Sequence, residues 1–168
     1  MTETRIAVIG DTHIIEFDEL PEQFIQSFKK VDMIIHLGDF TSPKVLNGFL
    51  SIKKPIFKGV YGNSDPQSVR EKLPFKDTLE IEGNKIGIIH PASGGLLNNI
   101  EVQVLNEFKN ESLDVIMFGH THYFMNEIYK DILFLNPGQG YKDTSFGPQG
   151  SFLLITIGDT IQVKKIKI

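Results

Sequence analysis

Mainly apolar runs that stop at a glycine recur four times along this chain and constrain its fold more than any other feature. Each run has the length of a single strand, and its apolar character is typical of a strand that is buried on both faces. The runs occupy residues 6–9, 33–37, 55–61 and 115–118, and they end at Gly10, Gly38, Gly62 and Gly119. They predict four buried strands of an α/β domain.

The segments between and after these runs predict helices first and hairpins later. The predicted helices, which show apolar side chains at helical spacing, span residues 18–30, 43–53 and 98–109. Further strands are predicted over residues 79–89 as a hairpin with its turn at Gly83-Asn84, and over residues 124–129, 132–135, 152–157 and 161–168. We therefore expect a single α/β domain over residues 1–168, with two sheets and helices outside them.

The composition of the 168 residues excludes several classes of protein. A net charge of -4 argues against a nucleic-acid surface. No cysteine is present, so neither a disulfide nor a thiolate metal site can form. No apolar run approaches the ~20 residues that cross a bilayer, and the chain does not start like a secretory signal. We expect a cytoplasmic protein without membrane or nucleic-acid partners, while assembly into a homo-oligomer stays open.

Residues of metal-binding type follow five of the predicted strands. Because the loops past the carboxyl ends of parallel strands share one rim, these side chains are expected to meet in space. They are Asp11 and His13, Asp39, Asn63 and Asp65, His90, and His120 and His122. Four of the five histidines occupy such positions. The fifth, His36, lies inside the second strand and is expected to be a packed or hydrogen-bonded imidazole.

Each of these motifs taken alone has a simpler explanation. Asp11-Thr12-His13 would more often be a turn, and Gly38-Asp39 and Gly62-Asn63 are ordinary loop starters. Gly119-His120-Thr121-His122 is more specific, because two histidines two residues apart on an extended backbone rarely serve packing. The ordered set is stronger than any member, and it predicts a metal site.

In their order and spacing, these motifs resemble the calcineurin-like metallophosphoesterase superfamily, specifically its small YfcE-type phosphodiesterases. The resemblance covers residues 6–138 and implies a four-layer α-β-β-α sandwich with two mixed β-sheets, the metallo-dependent phosphatase fold. It also implies a binuclear metal centre. One ion would be held by Asp11, His13 and His122, the other by Asn63, His90 and His120, and both by a bridging Asp39. Asp65 would orient a ligand or its loop rather than bind metal.

The activity implied by the resemblance is hydrolysis of a small phosphate ester, in the first instance a phosphodiester. A hydroxide bridging two ions about 3.5–4 Å apart would attack phosphorus in line with the leaving oxygen, and Asp39, Asn63 and His120 are the predicted catalytic residues. Nitrogen and oxygen ligands fit Mn²⁺, Zn²⁺, Fe²⁺ or Ni²⁺, and the resemblance favours Mn²⁺. The ions would also supply the positive charge for phosphate in a chain with only two arginines, Arg5 and Arg70. Arg70 itself is expected to be a solvated surface residue.

Two positions depart from the family pattern. Relatives commonly carry His-Gly-His where this chain has His90-Pro91-Ala92, and larger members carry a histidine where Ser64 stands. Both histidines can donate a proton to the leaving group, an assistance that contributes typically ~10²–10⁴-fold. Their absence predicts a preference for esters with stable leaving groups, such as aryl phosphates.

The missing proton donors also leave a non-enzymatic alternative open. The retromer subunit with this fold serves mainly as an assembly module, so a catalytically weak or silent metal-binding scaffold is the alternative function. Other binuclear hydrolases fit less well. Metallo-β-lactamase sites need His-x-His-x-Asp-His, but Tyr123-Phe124 follows His122; amidohydrolases place His-x-His after the first strand, where this chain has Asp11-x-His13.

Overall fold

Two five-stranded sheets pack face to face in the computed structural model of the chain, which describes residues 3–52, 54–91, 99–141 and 150–167. The first sheet contains, in spatial order, β10 (Ile161–Lys167), β9 (Ser151–Ile157), β1 (Thr4–Ile9), β2 (Met33–His36) and β3 (Ile56–Gly59). The second contains β4 (Lys76–Ile81), β5 (Asn84–Ile89), β6 (Val115–Phe118), β8 (Ile132–Pro137) and β7 (Phe124–Tyr129). The helices are α1 (Glu22–Phe28), α2 (Pro43–Leu50), α3 (Gln67–Arg70) and α4 (Ile100–Glu107).

Both sheets are mixed, with three parallel strands each, on one side of the first sheet and at the centre of the second. In the first sheet β1, β2 and β3 run parallel to one another. β9 pairs antiparallel with β1, and β10 pairs antiparallel with β9. In the second sheet β5, β6 and β8 run parallel, with β4 and β7 as antiparallel edges. The register aligns Ile9 with His36 and His36 with Gly59, so the loops that follow β1, β2 and β3 leave the sheet at the same level.

Three buried clusters define four layers and confirm the predicted α-β-β-α sandwich. Between the sheets, alternate apolar side chains of both sheets pack together, including Val8, Ile35, Ile88, Met117 and Leu135. On the outer face of the first sheet, α1 and α2 bury Phe24, Phe28 and Phe49 against Ala7 and Ile34. On the outer face of the second sheet, α4 buries Val104 and the adjoining Phe108 against Ile116 and Phe134.

Some predicted boundaries were wrong. The predicted helix over residues 18–30 is two elements, a 3-10 turn at Phe17–Glu19 and then α1, because Pro21 takes an extended conformation (ψ 131°) between them. The first hairpin starts at Lys76 and turns at Glu82 and Gly83, both with positive φ, so Asn84 already belongs to β5. The four-residue α3 was not predicted. None of the helices in the described ranges is long and apolar enough to cross a membrane.

Candidate metal centre

The loops after β1, β2, β3, β5 and β6 converge at one rim of the sandwich, as the sequence predicted. The amide of Asp11 donates to the carbonyl of Gly38 (2.9 Å), which ties the first two loops together. The amide of His120 donates to both Asp11 carboxylate oxygens (3.0 and 3.2 Å), which ties the second sheet to the first. Glycine at position 119 permits this approach, because a Cβ there would lie 2.6 Å from the Leu37 carbonyl oxygen.

Asp11, His13 and His122 form the first group of ligand-type atoms. The Nε2 atom of His122 lies 3.4 Å from Asp11 Oδ1, and that of His13 lies 3.9 Å from the same oxygen. The two imidazole Nε2 atoms are 3.3 Å apart. The Asp11 carboxylate is fully buried, and both histidines are half-buried. The three side chains thus point at one small volume from the floor and two sides of the rim.

Asn63, His90 and His120 form the second group, and its hydrogen bonds fit a cation. Buried His90 donates from Nδ1 to the carbonyl of Leu37 (2.7 Å), so its Nε2 carries a lone pair. That Nε2 faces the Asn63 Oδ1 at 3.1 Å, and the same oxygen lies 2.9 Å from His120 Nδ1. In the neutral ring this Nε2 lone pair and the Asn63 oxygen are both ligand types that divalent ions accept. The donor set therefore suits a divalent ion.

Asp39 lies between the two groups. Its Oδ2 is 3.4 Å from His13 Nε2 and 3.6 Å from His90 Nε2, so one carboxylate oxygen faces a member of each group. Ser64 holds the carboxylate in place, donating its amide to Oδ1 (2.8 Å) and its hydroxyl to Oδ2 (3.0 Å). Asp11, Asp39 and His90 are themselves close enough to share an ion. This is the arrangement that a bridging carboxylate requires.

The electrostatics of the centre favour neutral imidazoles at two positions. Burial lowers the pKa of His13 and of His120 below the usual 6.5, although the Asp11 and Asp39 carboxylates oppose this shift. A hydrogen bond to Asp11 instead raises the pKa of His122. Because metal binding requires the neutral imidazole, binding at His122 would displace a proton more often than at the other two histidines.

The backbone is strained at the predicted ligands. Asp11, His13, Asp39, His120 and His122 all have left-handed φ values, between 45° and 79°. Non-glycine residues rarely adopt this region, and each costs of order ~1–3 kcal/mol unless its surroundings enforce it. Five such residues at one rim indicate a site whose geometry is maintained against local preference.

Two further buried residues, Asp65 and His36, lie outside the two ligand groups. The Asp65 carboxylate accepts amide hydrogen bonds from Gly62 (2.7 Å), Thr41 (2.8 Å) and Asp39 (3.0 Å), so it joins the loops after β2 and β3. Burial raises the pKa of this carboxyl, and the amides of Gly62 and Thr41 oppose the shift. His36 is a packed imidazole that stacks on Phe40 with ring centroids 3.6 Å apart.

The prediction for Arg70 was incomplete, and Tyr141 was missed. Arg70 is exposed, but its guanidinium donates to the carbonyls of Asn63 and Asp65 (both 2.8 Å). The ring of Tyr141 meets His13 and His122 edge-on, with centroids 5.6 and 6.1 Å away. Neither contact has a local sequence signal, because each depends on how separate loops fold back. Ala92, at one of the departures from the family pattern, lies outside the described residues.

The chain is similar to known proteins along most of its length. Residues 4–160 match the calcineurin-like phosphoesterase superfamily domain. A probable metallophosphoesterase of Methanocaldococcus jannaschii is 34% identical over 168 residues, covering 97% of this chain and 81% of the relative. A phosphodiesterase of the same organism is 31% identical over 150 residues, covering 80% and 83%.

Solved structures show the same fold at lower identity. Vps29 of Entamoeba histolytica in complex with zinc superposes with a TM-score of 0.73 at 18% identity, covering 97% of this chain and 98% of that one. The likeness at this identity concerns the fold alone. The domain match over residues 4–160 and the 34% identical relative show the family: the chain belongs to the calcineurin-like phosphoesterase superfamily.

Proposed function

We propose that this chain is a hydrolase of phosphate esters, with phosphodiesters as its substrate class, and that it works with two divalent metal ions. The observation that carries the proposal is the position of the Asp39 carboxylate, which faces His13 of one ligand group and His90 of the other. A single carboxylate between two sets of nitrogen and oxygen donors is what a binuclear centre needs. Mn²⁺ is the first candidate, and Zn²⁺, Fe²⁺ and Ni²⁺ suit the same donors.

The predicted ligands differ in how deeply they are buried, and their roles are expected to differ accordingly. Asp11, Asp39 and His90 are buried and form the floor, so they would hold the ions with little exchange of water. His13, His120 and His122 are half-buried walls, and Asn63 is exposed at the rim, where an ester would enter. When bound, the ions would activate water as the nucleophile and offset negative charge on the phosphoryl oxygens.

The support for an enzyme comes from the complete ligand set and from the relatives named metallophosphoesterase and phosphodiesterase. One observation favours the alternative of a weakly active or silent metal-binding scaffold. The Ser64 hydroxyl, at one of the positions where a proton donor is expected, donates to Asp39 at 3.0 Å and is thereby withdrawn from a leaving group. The two functions make different predictions for the same protein.

The test joins metal analysis to a substrate screen. Purified protein would be titrated with Mn²⁺ and then incubated with nitrophenyl phosphodiesters and phosphomonoesters, with Mn²⁺ or with a chelator. Two ions per chain and Mn²⁺-dependent hydrolysis, faster on diesters, are expected. Two bound ions without turnover in wild type would favour the scaffold, and failure to bind any divalent ion would overturn both functions.

A further inference from the structure

The peptide group that joins Asn63 to Ser64 is held at both of its ends. Its carbonyl, that of Asn63, accepts a hydrogen bond from Arg70 Nη2 at 2.8 Å. Its N–H, that of Ser64, donates to Asp39 Oδ1 at 2.8 Å. The Arg70 cation therefore contacts the negative, carbonyl end of this peptide dipole, and the Asp39 carboxylate contacts the positive, N–H end. In such a chain each hydrogen bond polarises and strengthens the next.

Arg70 is built to make this contact. Its Nε donates to the carbonyl of Asp65 at 2.8 Å, so the planar guanidinium spans two carbonyls of one turn. The guanidinium also lies over the ring of Tyr61, 5.3 Å from the centroid. Its backbone is anchored because the preceding residue, Val69, is fully buried in the apolar cluster on the outer face of the first sheet. The side chain is exposed, but its head group is fixed by three partners.

The turn over residues 62–65 carries ligand-type residues and is anchored on two sides. The amide of Asp65 donates to the carbonyl of Gly62 at 3.3 Å and closes the turn. The Asp65 carboxylate holds the inner side through the amides of Gly62 and Asp39. Arg70 holds the outer side. Without it, the carbonyl end of the Asn63–Ser64 peptide would lose its hydrogen bond, and any rotation of the peptide would withdraw the Ser64 amide from Asp39.

We propose that Arg70 is a positioning residue of the metal centre. It fixes the Asn63–Ser64 peptide so that Asn63 Oδ1 stays between His90 and His120 and the Asp39 carboxylate keeps its orientation. The inference rests on the proposed binuclear site and adds to it a group outside the ligand set. Its expected effect is larger on the His90 and His120 group, because Asn63 belongs to that group alone, whereas the Asp11, His13 and His122 group meets the turn only through Asp39.

The experiment follows the two groups separately in one protein. Protein with ¹⁵N-labelled histidine rings would be titrated with Zn²⁺, which gives sharp NMR signals; His90 and His120 report one group, and His13 and His122 report the other. In Arg70→Met, we expect His90 and His120 to need about 10–100-fold more Zn²⁺, the usual cost of losing a residue that orients a metal ligand. His13 and His122, which meet the turn only through Asp39, should need a clearly smaller increase.

The matched control is Arg5→Met, which removes the other arginine of the chain, an exposed residue paired only loosely with Asp32 at 3.9 Å. It should leave all four histidines at their wild-type Zn²⁺ requirement. Arg70→Lys keeps the charge but cannot donate to both carbonyls, so it should fall between wild type and Arg70→Met. It also decides the question if the methionine variant does not fold.

Two results would overturn the proposal. One is that His90 and His120 need no more Zn²⁺ in Arg70→Met than in wild type. If only Arg70→Lys folds, the same result in that variant would overturn the proposal. The other is equal weakening of both histidine groups, since a general loss of structure would act on both alike. If wild-type histidines do not respond to Zn²⁺ at all, the proposed function has failed independently of Arg70.

Discussion

The Nε2 atoms of His13 and His122 lie 3.3 Å apart, although 109 residues separate them in the chain. His13 follows β1 of the first sheet and His122 follows β6 of the second, so their contact exists only when the sandwich is closed. An ion bound there would bind the folded chain far better than the unfolded one. We therefore expect metal binding and folding to be coupled in this protein.

This coupling predicts that metal stabilises the fold. At Mn²⁺ concentrations 100 times the dissociation constant, the free energy of unfolding should rise by about 2.7 kcal/mol for each occupied site. Urea unfolding with Mn²⁺ and with a chelator would measure the difference. His13→Ala should lose about half of the gain, and an unfolding free energy that ignores Mn²⁺ would contradict the coupling.

Removing the central carboxylate should abolish activity without unfolding the chain. Asp39→Asn keeps the shape of the side chain but removes the charge that faces both ligand groups, and His120→Ala removes a predicted ligand. We expect turnover to fall at least about 100-fold in each, because even residues that only orient a ligand cost 10–100-fold. Asp18→Asn, at an exposed aspartate of the 3-10 turn, is the control. Undiminished turnover in Asp39→Asn would count heavily against the assignment.

A single methyl group at position 62 should have a similar effect. A Cβ on Gly62 would overlap the Asp39 carboxylate and approach the Asp39 amide nitrogen to 2.5 Å. Gly62→Ala must therefore displace Asp39, and Mn²⁺ affinity should fall at least about tenfold. At Gly158 the added Cβ would meet the flexible side chain of Glu3, so Gly158→Ala serves as control. Calorimetric titration of both variants compares them directly, and equal affinities would be inconsistent with the tight packing around Asp39.

The leaving group should decide which esters react. With the Ser64 hydroxyl engaged by Asp39, we expect nitrophenyl diesters to react far faster than alkyl diesters under saturating Mn²⁺. Ser64→His places a proton donor where larger family members carry one, and it should raise the alkyl rate relative to the aryl rate by up to about 10²-fold. Ser64→Ala is the control for the lost hydroxyl. Equal rates of wild type on the two esters would refute this preference.

Acid should destabilise the metal-free protein through His36. Burial holds the pKa of His36 well below its usual 6.5, so this imidazole stays neutral in the folded chain while it gains a proton in the unfolded chain. Its contribution to stability is present above pH 6.5 and is lost as the pH falls below it, by at most about 1.4 kcal/mol per pH unit.

The measurement is urea unfolding of the chelator-treated protein at pH 7, 6 and 5, compared with His36→Gln. The variant cannot titrate at this position, so its unfolding free energy should fall less steeply with acid. Its stability at pH 7 should be lower, because His36 accepts a hydrogen bond from the Gly38 amide and contacts the Thr12 hydroxyl, each at 3.2 Å. Parallel pH profiles for the two proteins would show that His36 does not carry the effect.

The sequence by itself determined the succession of strands along the chain and the identity of the residues at the rim. An apolar run that ends at glycine is a local signal, and a polar residue after it needs no knowledge of the partner strand. Asp11, Asp39 and Asn63 each follow such a glycine, so the sequence alone places them at strand ends, and the four-layer arrangement follows from the resemblance. Helix and hairpin ends were less certain because single residues such as Pro21 decide them.

Only the tertiary structure decided how these residues face one another. The position of Asp39 between His13 and His90, and the hold of Arg70 on the turn after β3, depend on loops from separate strands meeting in space. The left-handed backbone at five of the predicted ligands is equally invisible in the sequence, because it is unfavourable locally and persists only where the surrounding structure holds it, as the bond from the His120 amide to Asp11 does across the two sheets. Local sequence signals identify the residues, and long-range packing sets their geometry.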